Sequence, residues 1–296
     1  MSASGCVWRR EDWLNKRLAA WANLRLLGRG YRFRRAEAVL TALAAELRGR
    51  AIDHVIFSGD ATALGFEAEL VRAAHLMGLD GPDPLPGLAV PGNHDYCTRS
   101  AEQSGAFERY FRLWQKGERV GEAIYPFAQR VGPAWLVAVN SSTANRWAWD
   151  ASGGVGTEQI ARLGTLLDRL SGEGSRILVT HYPVCLASGK PERRTHGLRD
   201  LEALVKVAER GGIRLWLHGH RHGSYYHCRT CLAPFPVVCA GSATQSGKWT
   251  YHEYTLAGWH LQALRRIYDP KDGGFRDSGT FEVDLAGKEA FGSIVP

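Results

Sequence analysis

Short apolar runs alternate with amphipathic stretches along most of the chain. Runs rich in β-branched residues and bounded by glycine or proline predict buried parallel strands, at 55–58, 88–90, 135–140, 177–179 and 215–217. Apolar positions at helical spacing predict helices around these strands, at 8–27, 34–47, 67–77, 103–114, 157–170 and 198–210. Later runs predict antiparallel strands, at 237–240, 250–254 and 260–267. This order predicts an α/β domain with two sheets flanked by helices.

A chain of 296 residues can bury one substantial core, and no internal repeat or linker divides it. We therefore predict a single domain over 1–296. It begins with a basic helical arm at 1–35, rich in tryptophan and arginine, and ends with a weakly patterned tail at 270–296.

The positive charge is concentrated in this arm. Nine Lys or Arg residues there face only Glu11 and Asp12, which accounts for the whole net charge of +7. Because nucleic-acid grooves need distributed Lys and Arg, the neutral remainder argues against a nucleic-acid partner. Trp8, Trp13 and Trp21 leave three interpretations of the arm open. It lies on a membrane surface, it packs its Leu/Trp stripe on the sheet, or its arginines attract an anionic substrate.

Composition favours an intracellular setting. The N-terminus lacks the apolar core of a secretory signal, and no apolar stretch is long enough to span a bilayer. We expect a cytoplasmic protein, with the basic helix as a candidate peripheral contact to the inner face of the membrane. The six cysteines are then expected to be reduced thiols. Cys228 and Cys231 form the close pair, which we interpret as incidental to a hairpin rather than as half of a zinc site.

Four of the predicted strands end in side chains that bind metals. Asp60 follows the first, Gly92-Asn93-His94-Asp95 follows the second, His181 ends the third, and Gly219-His220-Arg221-His222 follows the fourth. Groups just past the carboxyl ends of parallel strands meet at one rim of a sheet. Carboxylate, amide and imidazole donors in such a cluster suit borderline divalent metals such as Mn, Fe, Co or Zn.

This ordered set resembles the calcineurin-like metallophosphoesterase family, whose motifs are Asp-x-His, Gly-Asp, Gly-Asn-His-Asp/Glu, a lone His and Gly-His-x-His. The last four are present between residues 59 and 222. The resemblance implies a two-sheet α/β/β/α sandwich and a metal-dependent phosphoester hydrolase, with phosphodiesters preferred over monoesters. It also implies two divalent ions, which clamp the phosphate and generate a metal-bound hydroxide for in-line attack.

The resemblance also implies a role for each matching residue. Asp60 would bridge the two metals. Asn93, His181 and His220 would complete one metal site, and His222 would serve the other. His94 would act as the catalytic group over the substrate phosphate, and Asp95 would orient the His94 ring.

One family motif has no counterpart, because nothing before Asp60 matches Asp-x-His. One explanation is that the first strand and its two ligands are encoded upstream of Met1, and we favour this explanation since a missing interior strand should leave a costly apolar gap. The other is a degenerate member that holds one metal or none and acts as a phosphate-ligand binding or regulatory protein.

The sequence does not specify the substrate. Cyclic nucleotides, nucleotide-linked lipids and other phosphodiesters all fit the resemblance. The basic tryptophan-bearing helix slightly favours a lipid-linked substrate over a small soluble one.

Overall fold

Two layers of β-sheet lie face to face between helices. The computed structural model describes residues 6–172 and 174–286. Its α-helices are α1 (Lys16–Leu26), α2 (Arg29–Arg32), α3 (Ala36–Gly49), α4 (Glu67–Leu76), α5 (Arg99–Gln103), α6 (Ala106–Phe111), α7 (Thr157–Arg169) and α8 (Leu201–Arg210), and 3-10 helices cover Arg10–Leu14 and Arg112–Gln115. Its strands are β1 (Val55–Phe57), β2 (Gly87–Ala89), β3 (Glu118–Arg119), β4 (Phe127–Val131), β5 (Ala134–Ala138), β6 (Arg176–Val179), β7 (Ile213–His218), β8 (Tyr225–His227), β9 (Val237–Cys239), β10 (Thr250–Ala257), β11 (His260–Asp269) and β12 (Gly274–Asp284).

The larger layer is a seven-stranded sheet in the order β3-β4-β5-β6-β7-β9-β8. Strands β5, β6, β7 and β9 are mutually parallel, and antiparallel strands complete both edges. Successive side chains point to opposite faces of a strand. Leu178 and Trp216 accordingly face the outer core beneath α7 and α8, whereas Ile177 and Leu215 face the core between the two layers.

The second layer consists of a parallel pair, β1-β2, and an antiparallel sheet, β10-β11-β12. Leu88 of β2 and Leu261 of β11 enter the same buried cluster as Leu215. On the far side of β1 and β2, helices α4 and α6 cover Ala89 with Leu70 and Phe107. Helices, two facing sheet layers and helices therefore follow one another, and the predicted α/β/β/α sandwich is confirmed.

The four motif-bearing strands do not share one sheet, and in this the prediction was wrong. Strands β1 and β2 form the small parallel pair, while β6 and β7 lie inside the seven-stranded sheet. Their ends still meet, because Ile56 and Leu88 pack into the same core as Leu215. The functional rim is thus assembled across the interface between layers.

Other differences have local causes. The helix predicted over 103–114 is broken at Gly105, whose φ of +60° lies in the left-handed region. Strands β3, β4, β8 and β12 were not predicted. Strand β12 lies within the tail called weakly patterned, and residues 287–296 of that tail lie outside the described residues.

Helices α1 to α8, together with the two 3-10 helices of the described ranges, include none that combines the length and apolar character needed to cross a bilayer.

Candidate metal centre

Strained turns present three of the expected ligands. Asp60, His220 and His222 have φ values of 65°, 66° and 36°, and Ala51 is the other non-glycine residue with positive φ among those described. For residues with a Cβ the left-handed region costs about 1–2 kcal/mol each. Such strain persists where the surrounding structure imposes it, and it concentrates at functional sites.

Two glycines let the turns after β1 and β2 approach each other. A Cβ on Gly92 would lie 2.1 Å from Oδ1 of Asp60, and one on Gly59 would lie 2.5 Å from the backbone nitrogen of Gly92. Only a hydrogen fits at either position. The carboxylate of Asp60 therefore sits directly against the Gly92 turn, where Oδ1 accepts a hydrogen bond from the His94 backbone N–H at 2.9 Å.

Four side-chain atoms from four strand ends converge beside these turns. Oδ1 of Asn93 lies 3.1 Å from Nε2 of His181 and 3.0 Å from Nδ1 of His220, and these two nitrogens are 3.3 Å apart. Oδ2 of Asp60 lies 3.5 Å from the same His181 nitrogen. Ligands held tetrahedrally at about 2.1 Å from an ion are about 3.4 Å apart, so these spacings suit one shared cation.

The proton arrangement also favours a cation. Nδ1 of His181 lies 2.7 Å from the backbone oxygen of Ser58, which can only accept, so Nδ1 is the donor of this bond. In the neutral ring Nε2 then presents a lone pair toward two oxygens that are themselves acceptors. Burial, followed by the interaction with nearby His181, lowers the pKa of His220 well below its usual value and keeps that ring neutral. A divalent ion would satisfy these lone pairs together.

Asp60 supplies the negative charge of the cluster. Burial by itself would raise its pKa, but His181, His94 and the His94 backbone N–H outweigh burial and lower it. The four converging side chains fit a metal ion, and the amide oxygen of Asn93 is a necessary member of this donor set. Across 6–172 and 174–286, no three His, Cys, Asp or Glu side chains by themselves form a metal-holding group.

His222 stands apart from the four-atom cluster. Its Nδ1 is buried and has no hydrogen-bond partner, and its ring lies edge-on to Phe33 with the centroids 5.9 Å apart. An unpartnered imidazole nitrogen suits the ligand role expected of His222. For this second ion, however, the resemblance assigns only one further ligand among the matching residues, which is Asp60.

His94 is hydrogen-bonded at both of its ring nitrogens. Its Nδ1 donates to the backbone oxygen of Ala63 at 2.9 Å, and Nη2 of Arg29 donates to its Nε2 at 2.7 Å. Burial lowers the pKa of His94 to about 4; Asp60 opposes this shift and Arg29 adds to it. The ring is therefore neutral near pH 7, with its Nε2 turned toward a guanidinium.

Asp95 does not orient the His94 ring, and this expectation was wrong. Its carboxylate accepts hydrogen bonds from the backbone N–H groups of Asp60, Thr62 and Gly92, at 2.8–2.9 Å. Burial and then the charge of Asp60 raise the pKa of Asp95 to about 7, whereas the three N–H groups act in the opposite sense. Asp95 thus ties together the two turns that carry Asp60 and Asn93.

The arm contributes residues to the site that sequence reasoning did not single out. A cavity of about 310 Å³ opens beside the metal ligands, between arm residues Arg29, Arg32 and Phe33 and the segment that carries His220 and His222. No local motif marks Arg29. The density of arginines in the arm was the available signal, and it did not distinguish one from another.

Arg17 anchors the arm to the loop after β1. It pairs with Asp12, and Nε and Nη2 donate to the backbone oxygens of Leu64 and Gly65 at 2.9 and 3.0 Å. Its guanidinium lies 4.1 Å from the ring centroid of Phe66. The arm therefore packs on the loop that follows Asp60, and not by a Leu/Trp stripe laid on the sheet.

The cysteine pair makes no disulfide. Cys228 is half-buried and Cys231 is exposed, both as thiols. His218, whose role the sequence left undecided, is fully buried, and its Nδ1 lies 3.0 Å from the oxygen of Gly219.

The fold and the strand-end donors define a hydrolase of the metallophosphoesterase class. The model of the calcineurin-like phosphoesterase family matches residues 29–224, and the chain belongs to this family. Membership supports metal-dependent phosphoester hydrolysis at the level of the family.

Comparisons beyond the family are distant. No curated protein matches in sequence. Among solved structures, the chain is similar to GAP50, the anchor in the inner membrane complex of Plasmodium, with 11% identity, a TM-score of 0.45 and 84% of each chain covered. It is also similar to Vps29 complexed with zinc from Entamoeba histolytica, with 10% identity, a TM-score of 0.27, and 78% of this chain and 97% of that chain covered.

Proposed function

We propose that this chain hydrolyses phosphoesters, with phosphodiesters preferred, at a divalent metal held by Asp60, Asn93, His181 and His220. The observation that carries the proposal is the convergence of these four donor atoms: Asn93, His181 and His220 present atoms 3.0–3.3 Å from one another, and Asp60 Oδ2 lies 3.5 Å from Nε2 of His181. Bound there, a divalent ion would polarise a phosphoryl oxygen and make water a better nucleophile.

The protein side chains have separate tasks in this proposal. Asp60 offsets positive charge and is held ionised by its surroundings. His94 is neutral and hydrogen-bonded at both nitrogens, so its ring has one orientation. If a substrate oxygen replaces the Arg29 N–H at Nε2 and this nitrogen takes up a proton from solvent, the ring could give that proton to the leaving oxygen while Nδ1 keeps its bond to Ala63. Asp95 holds the turns that carry Asp60 and Asn93 next to each other.

A second ion is part of the proposal, and this chain offers it Asp60 and His222. Structural and catalytic sites usually have three or four protein ligands, so a second ion would bind weakly with two. The alternative within the same fold is a one-metal protein that binds a phosphate ligand without turnover. Metal content measured by elemental analysis separates two ions per chain from one.

Hydrolysis of bis-p-nitrophenyl phosphate with added Mn²⁺, before and after chelation, tests the enzyme proposal. We expect metal-stimulated turnover that exceeds the rate on p-nitrophenyl phosphate. His181→Ala should remove turnover, because it deletes the nitrogen shared by three of the close contacts. His196→Ala, in a loop outside the cluster, is the matched control. Bound metal without any turnover would support the binding-protein alternative instead.

We further propose that the substrate is lipid-linked and that a cytoplasmic protein meets it at the inner face of the membrane. Trp13, Leu14, Leu26, Leu27 and Tyr31, which we name the arm patch, are 53–92% exposed. The stacked and exposed Trp147 and Trp149 lie close by, since Lys16 Nζ donates to the backbone oxygen of Asp150 at 2.8 Å. An apolar surface inside a basic segment suits an anionic leaflet.

Vesicle co-sedimentation tests the membrane proposal. Wild-type protein should sediment with vesicles that contain anionic phosphatidylglycerol and much less with neutral ones. Leu26→Glu combined with Leu27→Glu should abolish the difference, whereas Val71→Glu, an exposed apolar position on α4, should leave it intact. Equal sedimentation of all three proteins would refute a membrane role for the arm patch.

A further inference from the structure

Two arginines of the arm are placed together without a carboxylate partner. Arg29 and Arg32 lie on the single turn of α2 and both line the cavity next to His220 and His222. By contrast, the buried arginines Arg17 and Arg266 are paired, Arg17 with Asp12 and Arg266 with Glu46. Among the residues that the structure describes, neither Arg29 nor Arg32 has an ion pair within 4.0 Å.

This placement is electrostatically unfavourable. Burial lowers the pKa of Arg29; the charge of Asp60 opposes that effect, and nearby Arg32 adds to it. Guanidinium groups remain charged in proteins, so both cations persist and repel each other. An anion between them would remove the repulsion and would use N–H groups that now lack a protein acceptor.

The cavity wall is fixed rather than formed on demand. The backbone oxygen of Arg32 accepts a hydrogen bond from the Ser246 N–H at 2.6 Å, which ties α2 to the loop before β10. Phe33 packs edge-on against His222. Nη2 of Arg29 donates to Nε2 of His94 at 2.7 Å, which orients this guanidinium beside the site. Arg221, on the opposite wall, is already paired with Glu192 at 3.1 Å.

We propose that this cavity is an anion-binding pocket that receives a phosphate group of the substrate, with Arg29 and Arg32 as its binding cations. The inference rests on the proposed phosphoesterase function and deepens it. Arginine is suited to phosphate, because its planar fork can donate two parallel hydrogen bonds to the oxygens. His220 and His222 line the same cavity, so a phosphate held there lies beside the metal ligands.

The dimensions suit a phosphate that carries a further group. About 310 Å³ lies at the lower end of the range for small-molecule pockets, and so exceeds the needs of a bare phosphate. The ring of Phe33 offers an apolar wall for the alcohol or sugar esterified to the phosphate. In this arrangement the arginines of the arm provide positive charge on the side of the site near His222, where a second metal ion would have only two protein ligands.

Isothermal titration with inorganic phosphate tests the pocket in the full chain, both with a chelator and with Mn²⁺. Phosphate should bind in chelator, and Arg32→Gln should weaken that binding about 10- to 100-fold, the value of a charge-assisted hydrogen bond. Arg25→Gln removes the same charge from an exposed position on α1 and should leave binding within about 2-fold of wild type. Arg32 is exposed, so its replacement should not affect folding, which the melting temperature checks.

The outcomes separate the pocket from the hydrolase. Arg32-dependent phosphate binding without metal-stimulated turnover would support the pocket and sink the enzyme proposal. Turnover with phosphate binding unaffected by Arg32→Gln would keep the enzyme and overturn the pocket. Equal weakening by Arg25→Gln and Arg32→Gln would also overturn it, because long-range charge alone would then explain the binding. With bis-p-nitrophenyl phosphate as substrate, Arg32→Gln should raise KM about 10-fold and change kcat little.

Discussion

Replacement of Arg17 by glutamine should detach the arm from the loop that follows Asp60. The Arg17 side chain is 7% exposed and that of Asp12 is 1% exposed. In Arg17→Gln the Asp12 carboxylate keeps one hydrogen bond, from the Arg9 N–H at 2.8 Å, and loses its cation. The backbone oxygens of Leu64 and Gly65 lose their donors as well. Removal of one partner from a buried pair destabilises proteins by about 3–5 kcal/mol.

The arm of Arg17→Gln can also detach without unfolding of the whole domain, so both global stability and local cleavage have to be measured. It can undock locally and expose Asp12 to water, so the loss in global stability stops at the free energy that holds the arm in place. We therefore expect a loss of about 3 kcal/mol or somewhat less by urea unfolding, together with faster tryptic cleavage within residues 9–35. The double variant with Asp12→Asn should recover at least about 1 kcal/mol, because it removes the unpaired charge.

Arg25→Gln is the matched control for Arg17→Gln, since it removes the same charge from an exposed position of the same helix. It should change stability by less than about 0.5 kcal/mol. If Arg17→Gln unfolded within 1 kcal/mol of wild type, on the order of the value for an exposed pair, and its arm were cleaved no faster, Arg17 would not be the anchor. The argument for a fixed cavity wall would then fail too.

Three other predictions follow from the site and the fold. Gly92→Ala should abolish metal-dependent turnover and metal-induced stabilisation, because its Cβ would lie 2.1 Å from Oδ1 of Asp60, while Gly49→Ala, with open space around it, should be harmless; metal titration monitored by melting temperature decides. His94→Ala should lower turnover at least ~10²-fold with metal content unchanged, whereas Asp60→Ala should lose metal, and the reverse pattern would show that the roles are misassigned. Burial, with Arg265 adding, lowers the pKa of His252 from 6.5 to about 4, so the unfolded chain takes up this proton first. Stability should be intact above pH 6.5 and fall as the pH drops toward 4, and urea unfolding of His252→Gln across that range should give a flatter profile.

The strand ends could be predicted from sequence because neighbouring residues mark them. Asp60, Asn93, His181 and His220 each follow a short apolar run, with a glycine immediately before all but His181, and such signals depend on nearby residues alone. The structure brings these four together as expected, and their roles as ligands stay predictions. The pairing of strands into layers could not be obtained in this way, because it depends on residues such as Leu88 and Leu261, which share one core but are far apart in sequence.

Two of the features that the sequence did not predict depend on contacts between residues far apart in the chain. Arg29 reaches His94 because Arg17 and the Ser246 N–H position the arm, and nothing near residue 29 encodes either contact. The resemblance implied a bond from Asp95 to the His94 ring, but the backbone N–H groups of two converging turns offer that carboxylate more donors. Strand β12 was missed since it has little buried surface, so its sequence alternates weakly.

The left-handed backbone at Asp60, His220 and His222 has a consequence for any search for hardier versions of this protein. Glycine adopts such a conformation freely, so each of these positions favours glycine by about 1 kcal/mol as far as the fold alone is concerned. At Asp60 the hydrogen bond from the His94 N–H opposes that preference. A library sorted only for heat resistance should therefore enrich His220→Gly and His222→Gly, and would discard both imidazoles in the process. Sorting for phosphate chemistry as well should restore both side chains, so these two codons report which property has been selected.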